Sequence, residues 1–178
     1  MSIVVGKVGK DKIYLVSDTK ISYDGNIEGY VDSKILNIMG VSNCFMGGVG
    51  KTNDIQTLQR ELRNKPHFLT GISNDNPIEP VDIGWKMMKI LYDAGSELDK
   101  SFSINSKYLM IINKKLLYIE KMYTEVINNY FAIGSGSKYA FGALYSGASA
   151  KEAVYAAIAF DKNCGGNVIE KTVNLDVK

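Results

Sequence analysis

The sequence predicts an α+β sandwich, and three observations carry that expectation. The hydrophobic period alternates along the chain: strand-like runs, two helical runs, strands again, two more helical runs and a last strand. Short turn-rich gaps separate neighbouring strand-like runs, which reads as hairpins and hence antiparallel pairing. Each helical run is apolar along one face only and needs a sheet to cover. Two antiparallel sheets stacked face to face, with a helix pair outside each, would bury every apolar stripe.

Taken in order, residues 2–8 and 12–19 are β-rich runs around the turn Gly9-Lys10-Asp11. Tyr23-Asp24-Gly25-Asn26 is a second turn, and residues 34–39 and 42–48 form another strand pair around Gly40. The chain opens as a meander. After Gly50 the period becomes helical through Ile55, Leu58 and Leu62, with Thr52 or Asn53 as the expected cap and Pro66 as the stop. Residues 66–80, with three prolines, read as a loop, and a second helix begins near 82 with Ile83, Met87, Ile90, Leu91 and Ala94 on one face. Residues 108–113 and 116–122 form a hairpin over Lys114-Lys115, and residues 126–133 supply one further strand. Helices return at 136–146 and, after a capping box from Ser149 to Glu152, at 150–162, where Ala153, Ala156, Ala157 and Phe160 share a face. The last strand spans 167–175.

A chain of 178 residues, 46% hydrophobic, suits one domain, 1–178, with a substantial core. The net charge of +2, with no basic run interleaved with aromatics, gives no indication of nucleic acid as a partner. Lys7, Lys10 and Lys12 interrupt the N-terminal apolar run too early for a signal-peptide core, and no apolar run approaches the ~18 residues of a membrane helix. A cytoplasmic protein is expected. Cys44 and Cys164 lack metal-ligand spacing, and no disulfide is expected between them.

Ser2, Asp18 and Lys34 are equally spaced along the first stretch of the chain, with a strand-turn-strand pattern between the first two. Each alone would pass for an ordinary surface residue. Together they suit an enzyme that uses its own N-terminus, in which a hydroxyl attacks an amide and the free α-amine of the same residue takes the proton. An α-amine titrates near ~8, a nearby Lys ammonium favours its neutral form, and an Asp keeps that Lys charged and oriented.

The run Ile13-Tyr14-Leu15-Val16-Ser17-Asp18-Thr19-Lys20-Ile21 resembles the second strand of proteasome β-subunits and of the bacterial protease subunit HslV, where the catalytic Asp ends an apolar strand and a small residue and a base follow. The resemblance continues through Lys34-Ile35-Leu36, Cys44-Phe45-Met46-Gly47-Gly48, the segment Phe131-Ala132-Ile133-Gly134-Ser135-Gly136-Ser137, and Asp161-Lys162-Asn163-Cys164-Gly165-Gly166. It implies the four-layer αββα sandwich of the N-terminal nucleophile hydrolases. It implies Ser2 in place of the usual N-terminal threonine, Asp18 and Lys34 as the rest of the triad, and the Gly47 N–H as oxyanion donor. By the same resemblance Ser135 helps orient the α-amine, Asp161 supports it, and Cys164 stands where a hydroxyl is usual, a weaker hydrogen-bonding group. Serine lacks the methyl that fixes threonine's χ1, so its oxygen is less firmly aimed. Ser2 has a free amine only after Met1 is removed, which a small second residue favours. No metal or organic cofactor is implied. The implied partners are a peptide or unfolded-protein substrate, copies of the same chain in a ring, and an ATP-dependent unfoldase.

Two rival readings stand beside this one. A proteasome-like subunit that assembles without cutting would fit serine for threonine and Cys164. Gly47-Gly48-Val49-Gly50-Lys51-Thr52 resembles a phosphate-cradling P-loop, although Met46 stands where the ParA signature lysine would, Phe45 takes the outer glycine position, and the setting is an antiparallel meander. His67, the sole histidine, reads as a surface residue, and Trp85, Met87 and Met88 as core or subunit contacts.

Overall fold

A computed structural model of the chain describes residues 2–23, 26–38, 41–65 and 79–176. Strand β1 (Ile3–Val8) shows how the layers arise, because its residues alternate between two apolar environments. Val4 faces a core between two sheets, whereas Ile3 and Val5 face a core of helix residues. β1 pairs antiparallel with β2 (Lys12–Asp18) on one side and with β10 (Tyr130–Gly134) on the other, and β11 (Val168–Asn174) closes the sheet beyond β2. The second sheet orders β5 (Ile35–Asn37), β6 (Phe45–Val49), β7 (Lys107–Ile112), β8 (Lys115–Glu120) and β9 (Tyr123–Ile127), with every pairing antiparallel.

Between the sheets, Val4, Leu15, Leu109, Ile111 and Leu116 are fully buried, each worth about 1.5–3 kcal/mol relative to exposure. The sheets approach closely at Gly6, where an added Cβ would lie 2.7 Å from Leu116 Cδ2. Outside the first sheet lie α3 (Ser137–Tyr145) and α4 (Ala150–Phe160); outside the second lie α1 (Thr52–Asn64) and α2 (Pro80–Leu98). The four-layer αββα order follows.

Several local expectations are corrected. Residues 126–133 are not one strand: β9 ends at Ile127 in the second sheet and β10 begins at Tyr130 in the first, so the chain changes sheets at Asn128-Asn129. A two-stranded sheet of β3 (Lys20–Tyr23) and β4 (Asn26–Tyr30) stands where only a turn was expected; the turn residues Asp24 and Gly25 lie outside the described residues. The β7–β8 turn is Asn113-Lys114, both at positive φ, one residue earlier than expected. Neither Thr52 nor Asn53 caps α1; Lys51 does, with no side-chain cap bond. Pro80 starts α2 instead of ending a loop, because proline at the first helical position loses no hydrogen bond. Phe160 is 71% exposed, and the buried face of α4 is Ala150, Ala153, Val154 and Ala157. The capping box at Ser149 and Glu152 forms as read. Met87 and Met88 are core, Trp85 is on the surface, both cysteines are free and buried, and Pro66 and His67 fall outside the described residues.

Candidate active site

Pairing of β1 with β2 sets Val4 opposite Ser17, which brings Asp18 level with Ile3. Asp18 is fully buried, and its two oxygens take three donors. Oδ1 accepts from the Ile3 N–H at 3.2 Å and from Lys34 Nζ at 2.5 Å; Oδ2 accepts from the Gly165 N–H at 3.0 Å. Because Lys34 and the Ile3 amide meet on one oxygen, the ammonium stands beside the peptide that joins Ser2 to Ile3.

Lys34 reaches that place from the residue before β5, where the Ser33 hydroxyl accepts from Ile35 N–H at 3.0 Å and fixes the entry of the chain. Its ammonium also donates to the carbonyl of Lys20. Asp18 and the Lys20 carbonyl thereby take two of its three donors. Burial lowers the Lys34 pKa from its ordinary value, with Asp18 opposing that shift by charge and hydrogen bond.

Ser2 is half-buried at the entry to β1. Gly134 makes room for it: φ there is +112°, and a Cβ would lie 2.0 Å from the Ser2 carbonyl oxygen. Next in the chain, the Ser135 hydroxyl is buried beside Asp161 and Cys164. It meets neither at full hydrogen-bond geometry, yet it is close enough to act on both electrostatically. Burial raises the Asp161 pKa, but Ser135, the Asn163 amide and Cys164 outweigh it, so the carboxyl sits below its ordinary range. Burial, then the charges of Asp18 and Asp161, push the Cys164 thiol up to about 12, so it is a neutral donor and lies 3.5 Å from Asp161 Oδ2.

The Asp161–Cys164 group and the Asp18–Lys34 group touch through Ile3 and Gly165. A Cβ on Gly136 would lie 2.8 Å from Cys164 Sγ and 3.5 Å from Ile3 Cβ, and the Gly165 N–H bonds Asp18. Gly47 pairs with Ile35, next to Lys34, and faces the first sheet so closely that a Cβ would lie 2.7 Å from Val4 Cγ1. All seven sequence-expected positions therefore lie around the start of β1. Sequence reading missed the partners Gly165, Gly134 and the Lys20 carbonyl, because backbone donors, acceptors and clearances leave no side-chain signature.

The phosphate-loop reading does not survive this setting. Gly47–Val49 belongs to an antiparallel strand between β5 and β7, and each glycine has a packing reason: Gly47 against Val4, Gly48 against Tyr108 and Ile55, Gly50 against the backbone of Asn105 and Ser106. A P-loop requires a parallel strand-helix-strand unit.

Solved structures share this fold. The BPH protein of Thiobacillus denitrificans, solved in complex with epoxomicin, superposes with a TM-score of 0.73 at 20% identity, covering 98% of this chain and 99% of its own. Eukaryotic HslV from Trypanosoma brucei superposes with a TM-score of 0.74 at 16% identity, covering 97% and 99%. No curated protein sequence matches the chain. The family model described as Proteasome subunit matches residues 2–173. The chain belongs to the proteasome subunit family.

Proposed function

We propose that the chain is a peptidase that cuts peptide amides through Ser2 once Met1 has been removed. The observation that carries this reading is the convergence of the Ile3 N–H and the Lys34 ammonium on Asp18 Oδ1, directly beside Ser2. In the reaction the Ser2 hydroxyl attacks the substrate carbonyl while the Ser2 α-amine takes its proton. The Lys34 ammonium, lowered in pKa by burial and held by Asp18, favours the neutral amine by like-charge repulsion. The Gly47 N–H is assigned to the developing oxyanion. The amine returns the proton to the leaving nitrogen, and water then cleaves the Ser2 ester. The chain works as a homo-oligomeric ring in the cytoplasm on peptides or unfolded protein, with an ATP-dependent unfoldase as candidate feeder.

Ser2→Ala should keep fold and assembly and abolish cleavage of a fluorogenic peptide, and Lys34→Ala should do similar damage. The BPH relative binds epoxomicin, and an epoxyketone should add to the chain beginning at Ser2 by mass, since its ring closure needs a hydroxyl and a free amine on one residue. Full activity in Ser2→Ala would end this reading. A second reading, a non-cutting structural subunit, is favoured by the weak thiol contact of Cys164 at 3.5 Å; an assembled ring that neither cleaves nor reacts would establish it.

A further inference from the structure

Lys20 opens β3 two residues beyond Asp18, and its two ends act on different parts of the site. Its carbonyl accepts from the Lys34 ammonium. Its side chain runs the other way, past Gly165, where a Cβ would lie 3.1 Å from Lys20 Cδ, and its ammonium donates to the Lys162 carbonyl. Lys162 lies just beyond the end of α4, and the last turn of α4 has no basic residue of its own. A helix C-terminus carries partial negative charge and exposed carbonyls that a cation satisfies. The Lys162 carbonyl lies two residues past Phe160, so Lys20 holds the exit of α4 rather than a carbonyl of its last turn.

The segment it grips holds two of the seven candidate residues and a backbone donor to a third. Asp161 and Cys164 belong to it, the Gly165 N–H reaches Asp18 Oδ2, and the Gly165 carbonyl accepts from the N–H groups of Thr19 and Lys20 at 3.2 and 3.1 Å. Two glycines, Gly165 and Gly166, would leave this segment free to move if nothing held it. Lys20 is 8% exposed and forms no ion pair among the described residues. Burying an ammonium is costly unless it is hydrogen-bonded or paired, and here the Lys162 carbonyl is the acceptor.

We propose that Lys20 is a positioning residue of this site: its ammonium clamps residues 161–166 against β2, keeping Asp161, Cys164 and the Gly165 N–H in register with Asp18 and Lys34. Its effect on catalysis rests on the peptidase reading; the clamp itself does not.

The test compares Lys20→Met, Lys20→Gln and Lys20→Arg in the chain beginning at Ser2. Amide exchange at Gly165 should quicken about tenfold or more in the Met and Gln variants, while β7 and β8 amides keep their protection. The Arg variant should stay near wild type. With a cleavable peptide, kcat should fall about tenfold or more with KM within about threefold. The acid limb of the rate profile should move to higher pH, because removing a positive charge lets the Ser2 amine and Lys34 take protons more readily. The other groups facing them, Asp18 from β2 and Asp161 and Cys164 from the α4–β11 segment, are unchanged, and a purely structural role would leave that limb in place. Wild-type exchange at Gly165 in either Met or Gln variant overturns the clamp, and an unmoved limb in an active variant overturns its electrostatic part. If the parent chain cleaves nothing while exchange responds as expected, the peptidase reading fails and the clamp stands.

Discussion

At the scale of single residues, Asp161 and Gly134 give separable outcomes. The folded pKa of Asp161 lies below its ordinary 3.8, so its charged form is favoured on folding. Its contribution to stability is therefore present above that value and is lost as pH falls through the folded pKa. The stability gap between wild type and Asp161→Asn, measured by denaturant unfolding, should hold steady between about pH 7 and 5 and narrow below about 3.8. A gap unchanged down to about pH 2 would show that the carboxyl's charge contributes nothing. At Gly134 a Cβ meets the Ser2 carbonyl at 2.0 Å, with φ at +112°. Gly134→Ala should displace the chain end and lower peptidase activity on the order of 10²-fold, the scale of an ångström-sized misplacement. Gly142, inside α3 with nothing within 4 Å of its added Cβ, is the control. Its change to Ala should leave activity alone and raise stability by up to about 1 kcal/mol in a thermal melt.

At the scale of elements, the contact of β6 on β1 is the point where packing and site coincide. Gly47→Ala drives a methyl to 2.7 Å from Val4 Cγ1 and should cost about 1–3 kcal/mol. Combined with Val4→Ala, which removes that methyl, the total should fall short of the sum of the two single costs, because the two sites share one space. Strict additivity in a double-mutant cycle would mean that the sheets do not press together there. Most elements were legible in the sequence because period and turn residues agree, as at the β1–β2 hairpin and the Ser149 capping box. The failures have physical reasons. Asn128-Asn129 is a local turn signal between two β-like runs and marks the break, but that the chain also changes sheets there is set by tertiary pairing. Pro80 reads as a breaker until its place at the start of α2 is known. Phe160 fits the helical stripe but packs its ring against Tyr139 of α3 and is left exposed.

At the scale of the whole molecule, the fold assembles one site from segments far apart in sequence. The pairing of β1 with β2 and β10 brings Ser2, Asp18 and Gly134 together, β5 and β6 present Lys34 and Gly47 from the facing sheet, and the exit of α4 supplies Asp161, Cys164 and Gly165. The side-chain positions were legible because they match a family pattern in order; the backbone groups that tie them were not, since any residue carries an N–H and a carbonyl. In the proposed reaction Ser2 provides both oxygen and base. A peptide bond on its nitrogen replaces an amine titrating near ~8 with a group that is not basic, and general-base assistance is worth typically ~10²- to 10⁴-fold. The most direct measurement is hydrolysis of one fluorogenic peptide by two assembled forms, one beginning at Ser2 after removal of a cleavable leader and one retaining Met1. The form beginning at Ser2 should cleave and the Met1 form should fall at least about 10²-fold below it; equal rates from both would contradict the mechanism and assign the base to another group.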